Sequence, residues 1–361
     1  MEGKRRVLHL VHLLVCLVRF QASSAFWNFS EVQLPRDVLV WRFAIWRNRA
    51  FLAIPRWERN STFRLTLVEA PWPEEGPTPG SGLSAFPNPE VQVVNSDCRN
   101  LHSVTGLAVD ARGRLWVLDA PPGSFCPPRI LLYDLRKNEQ IGGVDLIGVP
   151  SKDMRSLAID SAIGPWGVRA YAGDPGDETI VTYSPGQRRW WRLKMVHGPN
   201  VPRVYSTEIA VSRKVPILYL TGYQSQDLFG IGLEELRNEK GPLPELGEKS
   251  TRDVNATWLG TKMGSSSGLI CDLKFGLHYF MVTERASVRW DTRQEPKAES
   301  HSVLLQKEDV PCLTDYEMDS QKSIWGLVNS ACPLAGKPPG KRPLLKARTV
   351  RVYKYNPFVG R

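Results

Sequence analysis

The chain has 361 residues, 42% of them hydrophobic, with 12 Trp, 29 Gly and 28 Pro and a formal net charge of +10. Length alone would admit two domains, and the Gly and Pro content fits a fold dense in turns. No apolar run is long enough to span a bilayer, and no basic groove with interleaved stacking residues points to nucleic acid.

The first predicted element is a targeting segment. Lys4, Arg5 and Arg6 precede an apolar stretch, Val7–Val18, and Ser23, Ser24 and Ala25 supply small residues for cleavage. Residues 1–25 therefore read as a signal peptide, and 26–361 as one secreted, extracellular domain. Cleavage removes four basic residues and one acidic residue, which takes the charge from +10 to +7.

Six hairpin-like segments follow: Leu39–Trp57, Thr105–Asp119, Ser156–Asp174, Tyr205–Gln224, Gly268–Glu284 and Cys312–Ser330. Each has an apolar strand, a short polar turn and a second strand built around an aromatic residue. The anchors are Phe51, Trp116, Tyr171, Tyr219, Tyr279 and Trp325, spaced about 50 residues apart, enough for four short strands and their loops. One such hairpin cannot bury its apolar face alone. Six without a long helical stretch predict an all-β, six-bladed β-propeller rather than a sandwich. Asp110 and Asp160 recur at the turns, as Asp does where its side chain bonds its own backbone.

Five cysteines lie in 26–361: Cys98, Cys126, Cys271, Cys312 and Cys332. The second hairpin, centred near Gly113, sets Cys98 opposite Cys126, and the last, centred near Gln321, sets Cys312 close to Cys332. Two disulfides are expected, with Cys271 a buried free thiol in an apolar strand. Asn28, Asn60 and Asn255 begin glycosylation sequons. Lys337, Lys341, Arg342, Lys346, Arg348, Arg351 and Lys354 form a basic tail, read as a solvated loop and edge strand.

Catalytic motifs are scarce. Gly264-Ser-Ser-Ser-Gly268 fits the nucleophile pattern in letters only: a strand follows it instead of a helix, so it reads as the loop entering the fifth blade. His102, His197, His278 and His301 are scattered, and no Cys or His pair has metal-ligand spacing. No metal or cofactor is implied. A propeller does bring distant inner strands to one axis, where lactonase-type hydrolases hold calcium. Asp119, Asp134 and Asp174 are the acidic candidates for such a site.

Several segments resemble the Yellow/major royal jelly protein family of arthropods. They are Ala53–Trp57 (AIPRW), Gly113–Asp119 (GRLWVLD), Cys126–Leu135 (CPPRILLYDL), Leu220–Ser225 (LTGYQS), Leu259–Lys262 (LGTK) and Ser287–Asp291 (SVRWD), in family order. The resemblance implies a secreted six-bladed propeller. Its members include pigmentation proteins, reported dopachrome-converting enzymes, salivary amine binders and nutritional proteins. The expected role is thus binding or isomerising a dopa-derived indole or a biogenic amine in the central channel. A non-catalytic binder or structural protein is the alternative, and a calcium-dependent lactonase-like hydrolase the second. Asn329, Tyr223 and Gln224 are the expected ligand contacts, because they end inner-hairpin segments that match family motifs. The chain departs from the family at Arg112 and Arg289, where cysteines are usual. It departs again at Thr349-Val350-Arg351, where the family has Asn-Phe-Arg.

Overall fold

The structure, a computed structural model, describes residues 38–57, 63–72, 83–95, 97–150, 152–161, 167–212, 214–238, 251–332 and 347–355. The expected targeting segment, Asn28, Asn60 and the first four basic tail residues lie outside them. Six small sheets form the six blades of a β-propeller.

Blade one holds β1 (Arg42–Trp46), β2 (Arg49–Ala53), β3 (Leu67–Pro71) and β4 (Ser84–Ala85). Blade two holds β5 (Val104–Val109), β6 (Arg114–Asp119), β7 (Arg129–Asp134) and β8 (Glu139–Asp145). Blade three is β9 (Leu157–Asp160), β10 (Arg169–Asp174), β11 (Thr179–Ser184) and β12 (Arg189–Val196). Blade four begins with β13 (Glu208–Val211), β14 (Ile217–Thr221) and β15 (Asp227–Gly232). The chain then makes a short helix, α1 (Leu233–Arg237), and adds β16 (Arg252–Asn255) parallel to β12 on blade three. It returns to blade four as β17 (Thr257–Thr261). Blade five is β18 (Ser266–Cys271), β19 (Gly276–Met281), β20 (Ala286–Asp291) and β21 (His301–Gln306). Blade six is β22 (Cys312–Met318), β23 (Ser323–Asn329) and β24 (Arg348–Lys354).

The first strands of the blades touch in a closed sequence, β1–β5–β9–β13–β18–β22–β1, and so surround the axis. Six apolar clusters fill the six gaps between neighbouring blades. Phe51, Phe86 and Tyr133 pack between blades one and two, and Trp116, Tyr183 and Trp190 between two and three. Tyr171, Trp191 and Phe229 fill the next gap, and Tyr219, Tyr279 and Trp290 the one after it. Phe280 and Tyr316 join five to six, and Trp72, Trp325 and Phe43 join six to one. Burying one Trp or Phe of about 200 Å² contributes roughly 5 kcal/mol of transfer free energy, so flat aromatic rings between blades are the main source of cohesion.

Register explains the repeat. Phe51, Trp116, Tyr171, Tyr219 and Trp325 each pair with the residue of the inner strand two positions before its last or turn residue. In blade five that place belongs to His278, opposite Ile270, and not to Tyr279. Aligning on the aromatic shifts the frame by one residue there, which exchanges the two faces of the strand. Asp110 accepts the Trp116 Nε1–H at 2.9 Å, Asp319 the Trp325 Nε1–H at 2.7 Å, and Asp160 the Tyr171 hydroxyl at 3.0 Å. Asp272 lies 3.3 Å from His278 Nε2. Asp110 also holds its own turn, accepting from Arg112 N and Arg114 N. Asp160 also takes a two-point contact from Arg237. Arg289, at the family's cysteine position, is used instead as an ion-pair partner of Asp272 at 2.7 Å.

Cys98 is bonded to Cys126 and Cys312 to Cys332, with Cα–Cα distances of 5.4 and 5.1 Å, and Cys271 is buried and outside both disulfides. Asn255 is exposed on β16. Arg348, Arg351 and Lys354 lie on β24, the strand expected of the tail. Among the described residues no helix is long and apolar enough to cross a membrane.

Candidate functional site

Two positions before each anchor's partner, the inner strands contribute one ring of residues: Arg42, Gly106, Ser156, Glu208, Gly268 and Asp315. Three are small and three are charged. Bulges help to shape this layer. One between Leu313 and Asp315 re-aims Asp315, and one between Ser267 and Leu269 contains Gly268 at φ +65. A Cβ on Gly268 would stand 2.9 Å from the Tyr316 ring, and its N–H is directed to Glu208.

Arg42 spans the axis. Its Nε donates to Arg155 O at 3.2 Å, Nη1 to Thr314 O at 2.7 Å and Asp315 Oδ1 at 3.4 Å, and Nη2 to Glu208 Oε1 at 2.9 Å and Thr207 O at 3.5 Å. A guanidinium has five N–H donors, and all five are used. Asp315 Oδ2 accepts the Phe43 N–H at 3.0 Å, which ties blade six to blade one.

One cation therefore serves two carboxylates in a nearly dry site. Burial raises the pKa of both, against the pull of Arg42. Glu208 has the shorter contact with Arg42. Burial pushes Asp315, which is farther from Arg42, up to about 7, and the nearby Glu208 carboxyl adds to the rise. Its side chain is 14% exposed against 3% for Glu208, so Asp315 is the more accessible carboxyl.

This layer is the inner end of a cavity of about 950 Å³ running along the axis. Leu107, Leu157, Ile209, Leu269 and Met318 are on its wall, and its mouth is formed by turn residues of the inner hairpins, among them Arg47, Lys214 and Lys322. On the other side of Arg42 lies an aromatic group. Trp41 sits 4.4 Å below the Arg42 guanidinium and makes edge contacts with Trp57 at 5.0 Å and Tyr223 at 5.5 Å. Arg155 lies 4.9 Å over Trp57. Burial, then the charge of Glu208, raises the Tyr223 pKa well above its usual value.

The residues expected from sequence fall around this layer. Tyr223 belongs to the aromatic group. Gln224 takes a left-handed conformation, φ 61, and donates its N–H to Ser266 O at 2.7 Å. Asn329 is buried and gives Nδ2 bonds to Val40 O at 3.0 Å and Thr314 Oγ1 at 2.7 Å. It thereby supports the residue whose carbonyl Arg42 uses. None of the three lines the cavity.

The acidic candidates are off the axis. Asp119 accepts from His102 N, Ser103 N and Arg129, Asp174 from Thr179 and Arg192, and Asp134 from Arg136 N. The Ser-rich segment splits: 264–265 is loop and Ser266 opens β18, with Ser267 Oγ spent on Leu313 O at 2.6 Å. Among the described residues no three His, Cys, Asp or Glu side chains cluster as metal ligands would. Sequence reasoning missed Arg42, Glu208 and Asp315. Their signal was a charge at one fixed register of three inner strands.

A family model described as Major royal jelly protein matches residues 102–338. The chain is 28% identical over 172 residues to dopaminechrome tautomerase of Drosophila melanogaster, covering 44% of this chain and 36% of that protein. It is 24% identical over 328 residues to Protein yellow of the same fly, covering 81% and 59%. Identity with Major royal jelly protein 7 of Apis mellifera is 23% over 290 residues, covering 73% and 62%. The chain thus spans between 36% and 62% of the length of these relatives.

Proposed function

The chain belongs to the major royal jelly protein family, and on that premise we propose that it is a secreted Yellow-type protein of a pigment pathway that binds and tautomerises a dopa-derived aminochrome in its axial cavity. The carrying observation is the Arg42–Glu208–Asp315 layer, which ends a cavity of about 950 Å³ with a titratable group. The similarity to dopaminechrome tautomerase supports the substrate class. The two disulfides suit an oxidising, extracellular compartment.

Tautomerisation of an aminochrome to its dihydroxyindole moves two protons, in successive steps that each take one from a ring carbon and deliver one to a ring oxygen, and no electrons leave the molecule. A carboxyl near pH 7 in its titration can do both, removing the first proton when ionised and returning it when protonated. Asp315 has that property and is the most accessible group of the layer. Arg42 and Glu208 position it and set its charge. The apolar wall packs the flat ring and excludes water.

The test is absorbance-monitored conversion of dopachrome and dopaminechrome by purified protein, with Asp315→Asn alongside and calorimetry against serotonin and dopamine. Turnover that falls about 100-fold or more in the variant supports the enzyme, the ordinary scale for a proton-transfer group. Saturable heat without turnover leaves a binder. Neither signal in a folded sample ends the reading.

A further inference from the structure

The first three strands of each blade run antiparallel, so the turns joining the first to the second strand all lie at the cavity mouth. Four of these turns carry an exposed cation: Arg47 in blade one, Arg112 in blade two, Lys214 in blade four and Lys322 in blade six. None of the four has a carboxylate partner among the described residues. Arg47 instead lies 4.7 Å over the Trp46 ring, which holds its guanidinium beside the mouth.

The acids of the same turns do not compensate. Asp110, Asp160, Asp272 and Asp319 are 2–6% exposed and turned inward. The first three are paired with Arg114, Arg237 and Arg289, and Asp319 is bonded to Trp325. The turns therefore show solvent their cations and hide their anions. Sheets packed face to face stand about 10 Å apart, so charges on blades one, two, four and six are spread over roughly 10–20 Å around the mouth. No single small anion reaches all of them. A polymer with regularly spaced negative charge does.

We propose that this rim is a docking surface for an extracellular sulfated glycan chain, a function separate from whatever occupies the cavity. An anionic membrane fits less well, because peripheral attachment adds apolar side chains to basic ones. The exposed large apolar residues, such as Phe125, Ile147 and Tyr205, lie on loops of the opposite end or, like Trp258 and Val303, on outer strands, and none lies in these turns.

The experiment is heparin binding by the full chain across a salt series, with two matched triple reversals. Arg47→Glu/Lys214→Glu/Lys322→Glu removes rim charge. Lys152→Glu/Arg285→Glu/Lys307→Glu removes the same charge from exposed positions at the opposite end. The rim variant is expected to weaken binding roughly tenfold or more at low salt and to flatten its salt dependence, with the remote variant close to wild type. A heparin disaccharide is expected to bind far more weakly than a long chain. Circular dichroism and thermal melting confirm that both variants are folded. Equal losses in the two variants would mean net charge alone acts, and would overturn the proposal. So would tighter binding to phosphatidylserine vesicles than to heparin at the same salt.

Discussion

Replacing Arg42 with Met probes the axial layer most directly. The side chain makes five hydrogen bonds, and its partners Glu208 and Asp315 have side chains only 3% and 14% exposed. Removing one member of a buried ion pair costs about 3–5 kcal/mol, and the three carbonyl oxygens also lose their donor, so a loss near 5 kcal/mol is expected at pH 8. That is a third or more of the stability of an ordinary domain. The loss depends on pH with a definite sign. Without Arg42 both carboxyls have folded pKa values raised still further above their unfolded values near 4. Stability is then fully present below about pH 4 and declines as pH rises through the folded pKa values. Urea denaturation at pH 5 and pH 8 reads this directly, with the smaller loss at pH 5. Adding Glu208→Gln to the Met variant should recover part of the loss at pH 8. A loss under about 1 kcal/mol at pH 8, or equal losses at both pH values, would refute the view that Arg42 neutralises a buried charge.

Asp315→Asn should remove a limb near pH 7 from the rate profile. It should also flatten wild-type stability between about pH 4 and 7, where a carboxyl titrating about three units above its unfolded value gives at most about 4 kcal/mol that is lost as pH rises. Cys98→Ser/Cys126→Ser opens a loop of sequence separation 28; chain entropy sets the cost at about 3–4 kcal/mol, measurable as a lower urea midpoint. Gly173→Ala would place a Cβ 1.9 Å from the backbone oxygen of Ser206. It should destabilise by about 3 kcal/mol or more, and a melting temperature within a few degrees of wild type would contradict the tight contact.

The fold was legible because its unit is local. Phe51, Trp116, Tyr171, Tyr219 and Trp325 each sit on a strand joined by a short turn to its partner, and turn chemistry with alternation is a short-range signal. The two disulfides were legible for the same reason, since each closes around a hairpin. The site was not. Arg42 meets Glu208 and Asp315 at sequence separations of 166 and 273, and no local pattern specifies which of many strand charges face the axis. Alignment on aromatic residues came close, since the three charges share one register. His278 in place of an aromatic concealed that register in blade five. Tyr223 and Asn329 were picked out as motif ends, and both adjoin the layer without lining the cavity.

Closure of the ring has a consequence for how the protein is made. Blade six is joined to blade one by the Asp315–Phe43 and Asn329–Val40 hydrogen bonds and by the Trp72–Trp325 contact, so the first strand waits for the last sheet. Arg42 leaves the ribosome 166 residues before Glu208 and 273 before Asp315. At about 5–20 residues per second that is an interval of tens of seconds in which the guanidinium has no carboxylate to meet. An arc of three blades thus keeps a charge where its axis would have to dry out. Premature closure into so small a ring is penalised until blade four emerges with Glu208.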